Sequence, residues 1–156
     1  SFGNVSARGA TNVIPNEVKI DGTFRTLDEQ WREEALKRMV KMAKGIAESM
    51  GGSIDFNVVR GYPFLRNSEE LTIRAKKFAV EYLGSENVVD LDMWMAAEDF
   101  AFYSQKIDAC FYRLGTRNEA KGIVSGVHTP TFDIDEKALE VGMGLMSWIA
   151  INELAN

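Results

Sequence analysis

The chain is poor in the residues from which self-contained chemical sites are usually built. It has one cysteine, Cys110, and one histidine, His128, in 156 residues. A single cysteine excludes an internal disulfide and a thiolate metal cluster, and it fits a reducing, cytoplasmic compartment. A single histidine argues against a zinc site built by this chain alone, because most such sites need two or more nitrogen or sulfur ligands. No apolar run approaches the roughly 20 residues of a membrane-spanning helix. The N-terminus lacks a charged region followed by an apolar stretch, so neither a membrane segment nor an export signal is expected. No basic run exceeds Lys76-Lys77, and 18 basic against 23 acidic side chains leave a net charge of −5. Nucleic acid is therefore not an expected partner, since phosphate-backbone binding would need a basic footprint. The chain begins with Ser-Phe-Gly and not methionine, which fits a trimmed chain or a piece of something longer.

What is present is the balance of a globular protein, 46% hydrophobic and 26% charged, suited to one domain or two small ones. Residues 1 to 7 read as a first strand. From Asn16 to Arg25, Val18, Ile20 and Phe24 alternate with polar neighbours, the period of a strand with one buried face, and Pro15 marks its entrance. Thr26-Leu27-Asp28-Glu29 has capping-box spacing ahead of a long helical pattern. That pattern runs through Trp31, Ala35, Met39, Met42, Ile46 and Met50 to Gly51-Gly52. Ile54, Phe56 and Val58 then predict another half-buried strand before Gly61-Tyr62-Pro63.

The pattern changes at Tyr62-Pro63, which divides the chain into residues 1–61 and 62–156. A helix is expected from Asn67 or Ser68 to Gly84, lined by Leu71, Ala75, Phe78 and Tyr82. A short strand follows at Val88 to Leu91, then a short helix from Glu98, a strand at Cys110 to Leu114, and a last helix from Asp135 to Leu154. That last helix is apolar on most of its circumference, which predicts deep packing.

Few residues suggest chemistry. His128 lies in the loop Val127-His128-Thr129-Pro130-Thr131-Phe132, where it reads either as a hydrogen-bonded surface histidine or as one metal ligand among others from elsewhere. Arg25 ends a strand on its polar face, either solvated or placed to take a carboxylate in two parallel hydrogen bonds. Asn12 reads locally as a turn residue. Glu98 and Asp99 read as charges at a helix N-terminus, and Asp133 and Asp135 as caps of the last helix. Glycine-rich dinucleotide loops, phosphate-loop lysine motifs and His-Glu-x-x-His are absent, and Cys110 has no neighbouring histidine as a base.

Four segments taken in order narrow these readings. They are Gly9-Ala10-Thr11-Asn12-Val13-Ile14-Pro15, Gly22-Thr23-Phe24-Arg25-Thr26, Ala97-Glu98-Asp99-Phe100 and His128-Thr129-Pro130-Thr131-Phe132. The set resembles the C-terminal part of the M20 family of metallopeptidases and amidohydrolases, in the branch of N-acyl-amino-acid amidohydrolases that includes hippurate and auxin-conjugate hydrolases. The resemblance implies an α+β and α/β fold. Residues 1–61 would form the later part of a lid, or dimerisation, domain of antiparallel strands and a long helix. Residues 62–156 would form the C-terminal part of a zinc-peptidase-like α/β catalytic domain.

It also implies roles for these residues. Asn12 and Arg25 match the lid positions that grip the substrate's free carboxylate. His128 matches the last ligand of a two-metal site, expected to hold zinc, with manganese, cobalt or nickel as alternatives. Glu98 and Asp99 match supports near that site. The other ligands, the glutamate base and a histidine lent by the partner subunit have no counterpart here, so the chain alone is expected to be inactive and to hold no metal. The implied reaction is hydrolysis of the amide bond of N-acyl amino acids or small peptides by a homodimer joined through the lid. Ala96-Ala97 stands where many relatives have Gly-Ser, which bears on acyl-group preference. A different class of reading is a non-catalytic dimerisation or small-ligand-binding module, since the front half would suit pairing through a sheet edge or helix.

Overall fold

The structure is a computed structural model, and it describes residues 1–155. Its elements in chain order are β1 (Phe2–Ser6), β2 (Lys19–Gly22), α1 (Glu29–Ser49), α2 (Glu69–Leu83), a 3-10 turn (Ser85–Asn87), α3 (Ala101–Ser104), a second 3-10 turn (Glu119–Lys121) and α4 (Lys137–Leu154). The described residues fall into two compact units, residues 1–64 with 95–97, and residues 65–94 with 98–155. No described helix is long and apolar enough to cross a membrane.

In the first unit β1 and β2 pair antiparallel, Ser6 opposite Lys19 and Phe2 opposite Gly22, with an irregularity between Phe2 and Asn4. β2 is shorter than the alternation from Asn16 to Arg25 predicts, because the partner strand is only five residues long. The paired ends are closed by Thr23 N donating to Ser1 O at 2.8 Å and by the Ser1 amino group donating to Thr23 O at 2.9 Å. Gly22 is required there: a Cβ would lie 2.6 Å from the Phe2 ring and 2.7 Å from the Ser1 carbonyl oxygen.

The start of α1 corrects the capping-box expectation by two residues. Asp28, in extended conformation, is the N-cap, and its carboxylate accepts from Trp31 N at 2.8 Å. The Thr26 hydroxyl instead accepts from Asp28 N at 3.3 Å and shapes the approach to the helix. At the far end Gly51 takes φ +77°, and the Gly51 and Gly52 amides close on Glu48 O and Ala47 O.

The strand expected at Ile54 to Val58 does not form, for no described strand lies beside it to complete a ladder. The stretch after it is instead fastened to the first turns of α1 by side chains. Arg60 Nη2 donates to Glu33 at 2.8 Å, Arg32 Nη1 to the Tyr62 carbonyl at 2.9 Å, and Phe64 N to Glu29 at 3.1 Å.

In the second unit α2 and α4 pack together. Tyr82 stacks on Trp148 with ring centroids 6.4 Å apart, and Arg74 Nε meets both carboxylate oxygens of Glu153 at 2.9 and 3.1 Å. Ala75, Phe78, Ala101, Ala109, Ala138 and Leu145 are the buried apolar residues of this unit. The strands expected at Val88 to Leu91 and Cys110 to Leu114 are absent as ladders. At Phe111 a side chain supplies what a neighbouring strand would: Asn67 donates to Phe111 O at 2.9 Å and accepts from Phe111 N at 2.8 Å.

The deep packing expected of the last helix is also corrected. Only Ala138 and Leu145 of α4 are buried, while Leu139 is 55% and Met143 68% exposed. Among the described elements α2 alone packs extensively against α4, so one stripe of a nearly all-apolar helix is covered. The helix begins at Lys137, two residues later than expected, with Glu136 and not Asp135 at its N-cap.

Candidate functional site

In the first unit Asn12 lies in a turn closed by Val13 N donating to Ala10 O at 3.1 Å, and its side chain is exposed. Gly9 permits that turn to fold tightly, since a Cβ there would come within 2.9 Å of Val13 O. Arg25 lies beyond the end of β2 and is exposed. Among the described residues it has no side-chain hydrogen bond or ion pair, whereas Arg32, Arg38 and Arg60 are each paired with a glutamate. Its five donors are thus uncommitted, the condition for receiving a carboxylate in a fork. No hydrogen bond joins Asn12 to Arg25.

In the second unit Glu98 and Asp99 lie ahead of the single turn of α3, which has Phe100 at its N-cap and starts three residues later than the expected Glu98. Glu98 turns back on its own backbone, its carboxylate accepting from Phe100 N at 3.2 Å, and Asp99 is exposed. His128 lies in a turn and is exposed, with φ +64°, the only non-glycine residue in the left-handed region among those described. The turn is bound internally. The Thr129 hydroxyl donates to Gly126 O at 2.8 Å, Phe132 N to Thr129 O at 3.1 Å, and the Ser125 and Thr131 hydroxyls share a 2.8 Å hydrogen bond.

Sequence reasoning missed the group at the base of this loop. Asp135, whose side chain is 12% exposed, accepts from Lys121 Nζ at 2.6 Å and from Asn118 Nδ2 at 2.5 Å. Hydrogen bonds from Lys121 first, and from Asn118 second, outweigh burial and lower its carboxyl to about 2 from an ordinary 3.8. Asn118 also caps the turn Glu119–Lys121, accepting from Lys121 N at 3.2 Å, with Gly122 at φ +72° ending it. An asparagine followed four residues later by glycine was the local sign of that turn; its contact with Asp135 has no local sign.

Among the described residues no group of three or more His, Cys, Asp or Glu side chains could hold a metal ion. The imidazole of His128 suits zinc, cobalt, nickel or manganese as one donor. The donor set of this chain therefore fits a contribution to a metal centre and does not make one by itself.

The profile of peptidase family M20/M25/M40 matches residues 5–152. The chain is 32% identical over 149 residues to IAA-amino acid hydrolase ILR1-like 5 of Arabidopsis thaliana, an alignment covering 93% of this chain and 34% of that protein. It is 31% identical over 141 residues to Thermostable carboxypeptidase 2 of Saccharolobus solfataricus, covering 90% of this chain and 35% of that one. The crystal structure of the YXEP protein of Bacillus subtilis, described as a dinuclear metal binding peptidase from the M20 family, matches the fold with a TM-score of 0.80 at 29% identity, over 100% of this chain and 42% of that one. The chain spans about a third of the length of the curated relatives it matches. The small antiparallel sheet and four helices match an M20 peptidase-like fold, and the relatives are hydrolases. With a match that runs over nearly its whole length, the chain belongs to peptidase family M20/M25/M40.

Proposed function

We propose that this chain is the C-terminal portion of a metal-dependent amidohydrolase that cleaves the amide bond of N-acyl amino acids or small peptides. The observation that carries the reading is the family match across residues 5–152, alongside an IAA-amino acid hydrolase among the relatives. In this reading residues 1–61 belong to a lid through which a homodimer forms, and residues 62–156 to the catalytic domain. The compartment is the cytoplasm, which suits a chain with one free cysteine.

Arg25 takes the free carboxylate of the substrate's amino-acid portion, and Asn12 adds a side-chain amide to the same grip. Fixing that carboxylate orients the scissile amide before reaction. His128 offers one nitrogen to the metal centre, while Glu98 and Asp99 stay near it as supports. Bound divalent metals supply an activated water and stabilise the oxyanion. Among the described residues no group of three or more His, Cys, Asp or Glu side chains forms a metal site, and in this reading the other ligands lie outside the 156 residues, so the chain alone is inactive.

The exposed surface supports membership in something larger. The chain presents 12850 Å² to solvent. A compact monomer of its mass exposes roughly 7,900 Å², and two separate units of these sizes roughly 9,400 Å² together. Large apolar side chains are among the exposed residues, as at Met143, Ile151 and Leu154 of α4.

The test uses the full-length enzyme. Charge-assisted hydrogen bonds contribute about 1.5–3 kcal/mol, so Arg25→Ala should raise KM for carboxylate-bearing substrates roughly 10- to 150-fold and leave their carboxamide analogues unchanged. Equal KM values for both substrate types in wild type and variant would remove Arg25 from the site. A His128→Ala enzyme that retained its full metal content and activity would remove the ligand assignment.

A further inference from the structure

We infer that Asp135, together with Lys121 and Asn118, is a positioning group that holds the His128 loop in its metal-receiving shape. This rests on the reading of His128 as a metal ligand. A ligating histidine is commonly fixed by a carboxylate or carbonyl on its second ring nitrogen. No hydrogen bond to the ring of His128 exists among the described residues, so the backbone is what fixes where its side chain leaves the loop. That backbone is left-handed at His128, a conformation a β-carbon disfavours and the surrounding structure must enforce.

The enforcement is laid out in two tiers. The inner tier is the trio of bonds within residues 125–132 already described. The outer tier joins the two legs of the loop. One leg is locked by mutual bonds between Asn118 and Ile123, 2.9 Å in both directions. The other leg ends at Asp135, whose amide donates to Thr116 O at 2.9 Å. Across the legs stand the bonds from Asn118 Nδ2 and Lys121 Nζ to the two oxygens of Asp135. The carboxylate is largely shielded from water while the Lys121 side chain is half exposed, and both bonds are short and charge-assisted. Without them the legs can part, and the inner turn loses the frame that keeps His128 left-handed.

A group that merely anchors α4 makes a different prediction, because Asp135 also holds the approach to that helix through Ala138 N donating to Asp135 O. The test measures loss of bound zinc to a chelator from the full-length enzyme, well below its melting temperature, beside amide hydrogen exchange of residues 125–132. Asp135→Asn and Lys121→Met should each release zinc about 10-fold faster, and those amides should exchange faster. Arg74→Met, which cuts the α2–α4 ion pair, should lower Tm slightly and leave zinc release unchanged. Wild-type zinc release in Asp135→Asn, with a lowered Tm and unaltered loop exchange, would overturn the proposal and leave a helix anchor. Should Asp135→Asn fail to fold, Lys121→Met decides on the same two readouts. Should His128→Ala keep all its zinc, the ligand reading fails, and loop exchange in Lys121→Met still tests the clamp.

Discussion

The packing of α4 against α2 can be tested through three helical glycines that share an intrinsic propensity and differ only in surroundings. Replacing glycine by alanine inside a helix stabilises by about 0.5–1 kcal/mol when nothing else changes. At Gly45, in α1, an added Cβ meets no atom within 4 Å. At Gly142 it would lie 2.8 Å from Leu114 Cδ2, the tip of a side chain that can turn away. At Gly144 it would overlap the Tyr82 hydroxyl oxygen and lie 2.8 Å from Tyr82 Cζ. That ring is rigid and is held by its stack on Trp148, so it cannot yield by rotating a terminal bond. Overpacking of this kind costs about 1–3 kcal/mol, which exceeds the propensity gain. Gly45→Ala should thus raise stability by ~0.5–1 kcal/mol, Gly142→Ala should change it little, and Gly144→Ala should lower it by ~1–2 kcal/mol. At about 2–4 °C per kcal/mol, the first and last variants should melt roughly 3–12 °C apart in a thermal scan. In a Tyr82→Leu background the Gly144→Ala penalty should vanish or reverse, a coupling that a double-mutant cycle reads directly. If Gly144→Ala instead raises Tm as much as Gly45→Ala does, Tyr82 does not sit on that face of α4 and the α2–α4 packing is wrong.

Two further outcomes follow from local geometry. Asp28→Ala should cost α1 about 1 kcal/mol and Asp28→Ser much less, while Thr26→Ala should have the smaller effect of the two positions; a larger loss at Thr26, read by denaturant midpoints, would restore the capping box. Because the Asp135 carboxyl is lowered to about 2, its stabilising contribution is complete above its ordinary 3.8 and disappears as pH falls through the value in the folded protein, so Asp135→Asn should flatten the stability profile between pH 4 and 2 and an unchanged profile would show the Lys121 bond to be absent.

Helices were largely legible in the sequence because their apolar spacing is a local property. The series from Trp31 to Met50 placed α1, and Leu71, Ala75, Phe78 and Tyr82 placed α2, within a residue or two. Strands were legible only in part, for β1 and β2 form where expected and three others do not, because a strand exists only with a partner. Ile54, Phe56 and Val58 alternate as well as Val18 and Ile20 do, yet only the latter stretch has a neighbour, the short β1. At Phe111 the missing neighbour is replaced by the amide of Asn67, a contact 44 residues apart that no periodicity reports. The caps show the same limit at short range. Thr26 and Asp28 are both competent cap residues, and the choice between them is made by backbone dihedrals.

The candidate site divides along the same line. Residue type drew attention to His128 and Arg25, the only histidine and an arginine at a strand end. Nothing in residue type indicated that His128 would be left-handed. The explanation lies in its neighbours, because Ser125, Thr129 and Thr131 each hold a hydroxyl that finds its partner inside the loop. Short hydroxyl side chains compete with regular backbone bonding and favour such turns, so the loop's composition and its conformation have one cause. Asp135 shows the same limit, for in the sequence it reads as a helix cap. An aspartate just before an apolar helix fits that role by spacing, and the cation that claims it lies 14 residues earlier, beyond a turn closed by Gly122. A carboxylate with two donors across a loop and only a 3.4 Å approach from Lys137 N belongs to the loop before it belongs to the helix.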